Sequence, residues 1–110
     1  MEINSILNKI VESLKPVDPY KIILFGSHAR GTAKSDSDID LLIILDSDLV
    51  VKNSDERIRR NCAVKINVKY VYPMDLVVQS RAEYMLNKER GSFFIYEVEK
   101  AGKTIYEKYN

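Results

Sequence analysis

Residues Ile39 to Leu45 read IDLLIIL, an apolar run with one acid set into it. A short run of this composition fits a strand covered on both faces, so the rest of the chain must supply a layer for each side. Side chains alternate along a strand. Asp38 and Asp40 therefore project from one face, while Ile39 and Leu41 face the opposite layer. Two carboxylates side by side at a strand start repel each other unless something cationic lies between them. Hard divalent ions with oxygen ligands meet that need, and magnesium takes a few carboxylates together with phosphate oxygens and water.

The remaining elements follow from periodicity and punctuation. Ile3, Ile6, Leu7, Ile10, Val11 and Leu14 recur at helical spacing, predicting an amphipathic helix over residues 2–14 that Pro16 and Pro19 stop. Tyr20 to Phe25 (YKIILF) reads as a buried strand closed by Gly26. A helix is expected over roughly 52–64, where acids precede bases in the sense the helix dipole favours. Met74 to Gln79 (MDLVVQ) reads as a third strand. Ser80-Arg81-Ala82-Glu83 has the form of a capping box and opens a helix that Gly91 ends. Ser92 to Ala101 is a further helix with Phe94, Val98 and Ala101 on one stripe, and Lys103 to Glu107 closes as a strand. Strands alternating with helices predict an α/β (α+β) layer, a small mixed sheet flanked by helices.

Asp75 repeats the pattern of Asp40, an acid near the start of an otherwise apolar strand. Burying it alone would cost several kcal/mol, so it should have a partner. If its strand lies beside the 39–45 strand, Asp75 completes a cluster of three carboxylates. Such a cluster could hold two metals roughly 3.5–4 Å apart to clamp both oxygens of a phosphoryl displacement. Gly26 at a strand end lets backbone approach a ligand closely. Ser27 can begin a short helix whose free N–H groups face an anion, and Ser27, Arg30 and Ser37 add donors for phosphate oxygens. Arg30 could equally hold the loop against Asp36.

The chain has 110 residues, and one domain over residues 1–110 is the expectation. Seventeen basic and sixteen acidic side chains leave a net charge of only +1, which makes nucleic acid an unexpected partner. The lone Cys62 excludes an intramolecular disulfide and a Cys-rich zinc site. The N-terminus lacks a signal-peptide pattern, and no apolar run approaches the roughly 20 residues needed to span a bilayer, so a cytoplasmic protein is expected.

GSHARGTAKSDSDIDLLIIL resembles the signature of the DNA polymerase β-type nucleotidyltransferase superfamily, in its minimal (MNT) branch. Arg30-Gly31, Ser37-Asp38, the MDLVV acid and the FFIYEVEKAGKTIYE tail extend the similarity over most of residues 20–107. The resemblance implies a polymerase β palm-like fold. It implies that Gly26 and Ser27 contact the triphosphate, that Asp38 and Asp40 hold metal, and that Asp75 completes the metal site and orients or deprotonates the acceptor hydroxyl. It implies two Mg2+ ions (or Mn2+) as cofactors and ATP as substrate. Small MNT proteins are similar to the antitoxin half of HEPN/MNT toxin–antitoxin pairs, in which AMP is added to a tyrosine of the HEPN partner. The expected function is therefore a protein adenylyltransferase with a HEPN-type partner. A small-molecule or RNA-end acceptor, or a non-catalytic binding antitoxin, is the alternative. Homodimerisation is compatible with so small a sheet.

Other residues read as structural. His28, the only histidine, is expected as polar surface, and Lys34 as a solvated loop charge. Cys62, at helical spacing from Ile58 and Ile66, is expected as a small core residue. Arg57, Arg59 and Arg60 are expected on a solvated helix face, with docking of an acidic partner as the other reading. Tyr70, Tyr72, Tyr84 and Tyr96 are expected to pack as amphipathic core.

Overall fold

The computed structural model of the protein describes residues 2–68 and 72–109. Its centre is the apolar run singled out above, now strand β2 (Ile39–Leu45), flanked by β1 (Pro19–Phe25) and β3 (Met74–Ser80), with β4 (Lys103–Glu107) beyond β1. The order is β3-β2-β1-β4. β1 runs antiparallel to both β2 and β4, and β2 and β3 run parallel, so the sheet is mixed as expected. Parallel neighbours need a crossover, and α3 (Ser54–Lys65) provides it. α1 (Ile3–Leu14) precedes the sheet, and the five-residue α2 (Gly26–Arg30) follows β1. α4 (Arg81–Glu89) and α5 (Phe93–Ala101) lie between β3 and β4.

Alternation along the strands sorts the core into two layers. Ile22, Leu24, Ile39, Leu41 and Ile43 meet Ile6, Ile10 and Leu14 of α1 and Val64 of α3. On the opposite face Ile23, Leu42 and Ile44 meet Tyr84, Ile95 and Val98 of α4 and α5. Ile39 and every residue from Leu41 to Ile44 are fully buried. At roughly 1.5–3 kcal/mol for each such side chain, β2 is the most heavily stabilised element of the fold. No helix among the described residues is long and apolar enough to cross a membrane.

Side chains cap the starts of α3, α4 and α5. Asn53 accepts the Glu56 amide at 2.9 Å. Ser80 and Glu83 form the reciprocal box at the head of α4. Glu83 does more than cap. Its carboxylate accepts from the backbone N–H of Ser80 at 2.8 Å and of Val51 at 3.0 Å, and from the Arg60 guanidinium at 2.6 Å. Burial opposes its ionisation, but these donors outweigh burial and hold its pKa below the ordinary glutamate range. A lowered carboxylate pKa stabilises the fold above the ordinary value, and the gain is lost as pH falls through the lowered one. Glu83→Gln should therefore cost about 1–2 kcal/mol at neutral pH. Its denaturation midpoint should vary less with pH than that of the parent chain below about pH 5; parallel curves for the two proteins would refute this role.

Several expectations are corrected. Cys62 is exposed, and so are Ile58 and Ile66, at 59% and 62% of their surface. Arg60, expected on the solvated face, instead reaches inward to Glu83 and to the carbonyl of Val78. A buried carboxylate needs its cation, and that demand turns α3 so that Val64, rather than the Ile58–Cys62–Ile66 stripe, enters the core. On α5 the buried pair is Ile95 and Val98, whereas Ala101 is exposed and Phe94 half-buried. Tyr84 is buried and donates to Glu99, Tyr72 is half-buried against the core, and Tyr96 is exposed. Tyr70 lies outside the described residues. Asp75 is exposed, because β3 is an edge strand; the cost argued for burying it does not arise.

Candidate active site

The antiparallel and parallel pairings of β2 bring three chain segments to one end of the sheet. Phe25 is the Cα partner of Asp40 on one side, and Asp75 is its partner on the other. Asp40 lies on the α4/α5 face with Leu42 and Ile44, beyond the reach of those helices' apolar cover. Asp38, two residues earlier in the chain, is exposed. Burial raises the Asp40 pKa, and the neighbouring charges of Asp75 and Asp38 raise it further. His28 and Arg30 act in the opposite direction. An acid cluster kept at this cost is suited to a cation, since a cation would reverse the repulsion.

Gly26 is fitted against that cluster. Its φ of +73° lies in the left-handed region, and a Cβ there would run into Asp40 Oδ2 and come within 3.0 Å of its Cγ. Only glycine lets the β1–α2 turn pass this close to the carboxylate. No side chain caps the start of α2, whose N-cap residue is Phe25. The amides of its first turn thus open beside the carboxylates. Ser27 is half-buried in that turn.

The other expected donors are placed differently. Arg30 is exposed and, rather than pairing with Asp36, lines a cleft of about 290 Å³ with Phe25, Gly26, Phe94, Glu97 and Val98. Phe25 and Phe94 meet there edge to face at 5.3 Å. Ser37 closes a loop turn, its hydroxyl accepting the Lys34 amide at 2.9 Å, with its own proton left to donate. His28 has a role that sequence reasoning passed over. Its Nε2 lies 3.1 Å from the Ser37 carbonyl and must donate to it, tying α2 to the loop that delivers Asp38. Only the nine-residue separation in a Gly/Ser/Asp loop hinted at this, and spacing alone does not reveal a hydrogen bond.

The donor set suits a hard divalent ion. Asp38, Asp40 and Asp75 offer only carboxylate oxygens, with no sulfur or imidazole ligand among them. Among the described residues, however, no group of three or more His, Cys, Asp or Glu side chains forms a ready metal cage. The carboxylates can supply part of a shell, which phosphate oxygens and water would complete.

Comparison with known proteins gives a consistent result. The family model described as "Nucleotidyltransferase domain" matches residues 5–103. The Methanocaldococcus jannaschii protein named "Putative protein adenylyltransferase MJ0604" is 35% identical over 88 residues, 78% of this chain and 77% of its own. "Putative protein adenylyltransferase MJ1305" of the same organism is 49% identical over 45 residues, covering 38% of this chain and 31% of its own. Among solved structures, a putative nucleotidyltransferase from Sulfolobus solfataricus superposes with a TM-score of 0.61 at 24% identity, covering 93% of this chain and 78% of its own. A toxin–antitoxin structure with AMP-PNP gives 0.52 at 23% identity, covering 92% and 73%. Both structural likenesses bear on the fold alone.

Proposed function

Because the chain belongs to the nucleotidyltransferase-domain family, we propose that it transfers AMP from ATP to a hydroxyl of a partner protein, with a HEPN-type toxin as the partner class. The observation that carries this reading is the register of β2 and β3, which sets Asp40 beside Asp75 with Gly26 against Asp40. The relatives named as protein adenylyltransferases support the choice of acceptor. The choice of partner follows from the resemblance of the signature to MNT antitoxins, and the toxin–antitoxin structure with AMP-PNP, which shares the fold, is in keeping with it.

Asp38, Asp40 and Asp75 would hold two magnesium ions, which when bound neutralise charge on the triphosphate and on the attacking and leaving oxygens. The α2 turn at Gly26 and Ser27 binds phosphate through backbone N–H groups, with Arg30 and Ser37 as further donors. The acceptor oxygen attacks the α-phosphorus, the bond to the bridging oxygen breaks, and pyrophosphate leaves with its electron pair. Asp75, exposed on the edge strand, orients the acceptor hydroxyl and takes its proton. None of the site residues is placed as a covalent nucleophile, so no covalent enzyme intermediate is expected.

The test combines the protein, magnesium and ATP labelled in the α-phosphate with the product of the adjacent gene. The label should move to a tyrosine of that product, as read by gel and mass spectrometry. Bound ATP with an unlabelled partner would refute the acceptor, and label trapped on this chain before transfer would refute direct displacement.

A further inference from the structure

β3 is an edge strand, and its outer side opens into a groove of about 520 Å³ between α3 and α4. The Val78 carbonyl faces that side, where it accepts from Arg60 Nη2 at 2.9 Å. Strand alternation directs the backbone N–H and C=O of Leu76 to the same side. An edge of this kind is a template for one more strand.

The groove walls are chemically selective. Arg57 and Arg60 enter from α3 and Arg90 from the cap just after α4, against the single acid Glu83, which Arg60 already neutralises. Arg60 Nε, Asn61 Oδ1 and Gln79 Oε1 are buried without a hydrogen-bond partner among the described residues, and all three residues line this groove. Val50, 42% exposed, supplies apolar surface at its margin. The groove begins at Leu76, the residue after Asp75, so whatever lies along β3 ends at the carboxylates.

We propose that this groove takes an extended, acidic segment of the acceptor protein as an added strand on β3, which delivers the acceptor hydroxyl to Asp75. The inference rests on the transferase reading above and adds how the acceptor is held. Backbone hydrogen bonds to Leu76 and to the N–H of Val78, whose carbonyl Arg60 already occupies, fix the register, and carboxylates of the segment pair with Arg57 and Arg90. A second copy of this chain is disfavoured as the occupant, since edge-to-edge pairing would set these arginines against their own counterparts.

The probe is a fluorescein-labelled decapeptide alternating valine and glutamate around a central tyrosine, compared with its lysine-for-glutamate counterpart by fluorescence anisotropy on the full chain. The glutamate peptide should bind at least tenfold more tightly, and Arg57→Glu with Arg90→Glu should erase the difference. N-methylation of successive peptide amides should weaken binding at every second position, the signature of strand pairing, and this readout needs no protein variant. Absence of binding, equal binding of the two peptides, or tolerance of N-methylation at every position would overturn the proposal. Magnesium-dependent ATP binding measured in the same samples separates the two readings. ATP bound without peptide rejects the groove alone, and peptide bound without ATP rejects the transferase reading alone.

Discussion

Asp40→Asn should lower nucleotidyl transfer by at least ~10²–10³-fold, the scale of losing one group that stabilises transition-state charge, while raising the thermal midpoint of the metal-free protein. The two effects have one cause. Asp40 faces Asp75 across the β2–β3 pair with Asp38 close by, and its pKa is raised by burial first and by those two acids next. A raised carboxylate pKa means that the charged form is disfavoured in the fold, so removing the charge stabilises it. Solvent screening keeps the gain small, on the order of 0.5 kcal/mol. Magnesium with a non-hydrolysable ATP analogue should reverse the order, stabilising the parent chain and leaving Asp40→Asn where it was. Melting curves of both proteins with and without these ligands decide the matter. A variant no more stable than its parent without metal would show that repulsion in the acid cluster is not a stored cost.

Gly26→Ala should be comparably damaging to activity and should also destabilise the chain. The new methyl group would occupy the space of Asp40 Oδ2 in a backbone with φ of +73°. The left-handed conformation alone costs roughly 1–2 kcal/mol for a residue with a Cβ. The carboxylate must then swing away, and loss of its position should cost about 10²-fold in turnover. Steric and conformational parts can be separated in a double-mutant cycle. Asp40→Gly in the Gly26→Ala background frees the space and should recover the steric part of the lost stability, but no activity. Full activity in Gly26→Ala alone would refute the close approach of turn and carboxylate as a feature of the site.

Much of this was legible in local sequence. The β2 run, the capping box at Ser80, the stop at Gly91, the glycine–serine turn and the Asp-x-Asp pattern each depend on residues within a few positions of one another. Periodicity and turn chemistry act over that range. The α3 face was not legible in the same way. Its apolar residues suit more than one stripe, and only the buried Glu83, far along the chain, selects the rotation that takes Arg60 in and leaves Cys62 out.

The sequence by itself thus determined which segments become strands and helices, and that Asp38 and Asp40 share one strand face while Gly26 and Ser27 form a turn, because short-range sterics and side-chain alternation leave little choice. Only the tertiary structure decided that β3 lies parallel to β2 with Asp75 opposite Asp40, that β3 stands at the sheet edge with Asp75 in solvent, and that His28 holds the Ser37 loop. Those outcomes depend on which strand edges and helix faces remain once the two layers are packed, a competition among distant segments that no local pattern encodes.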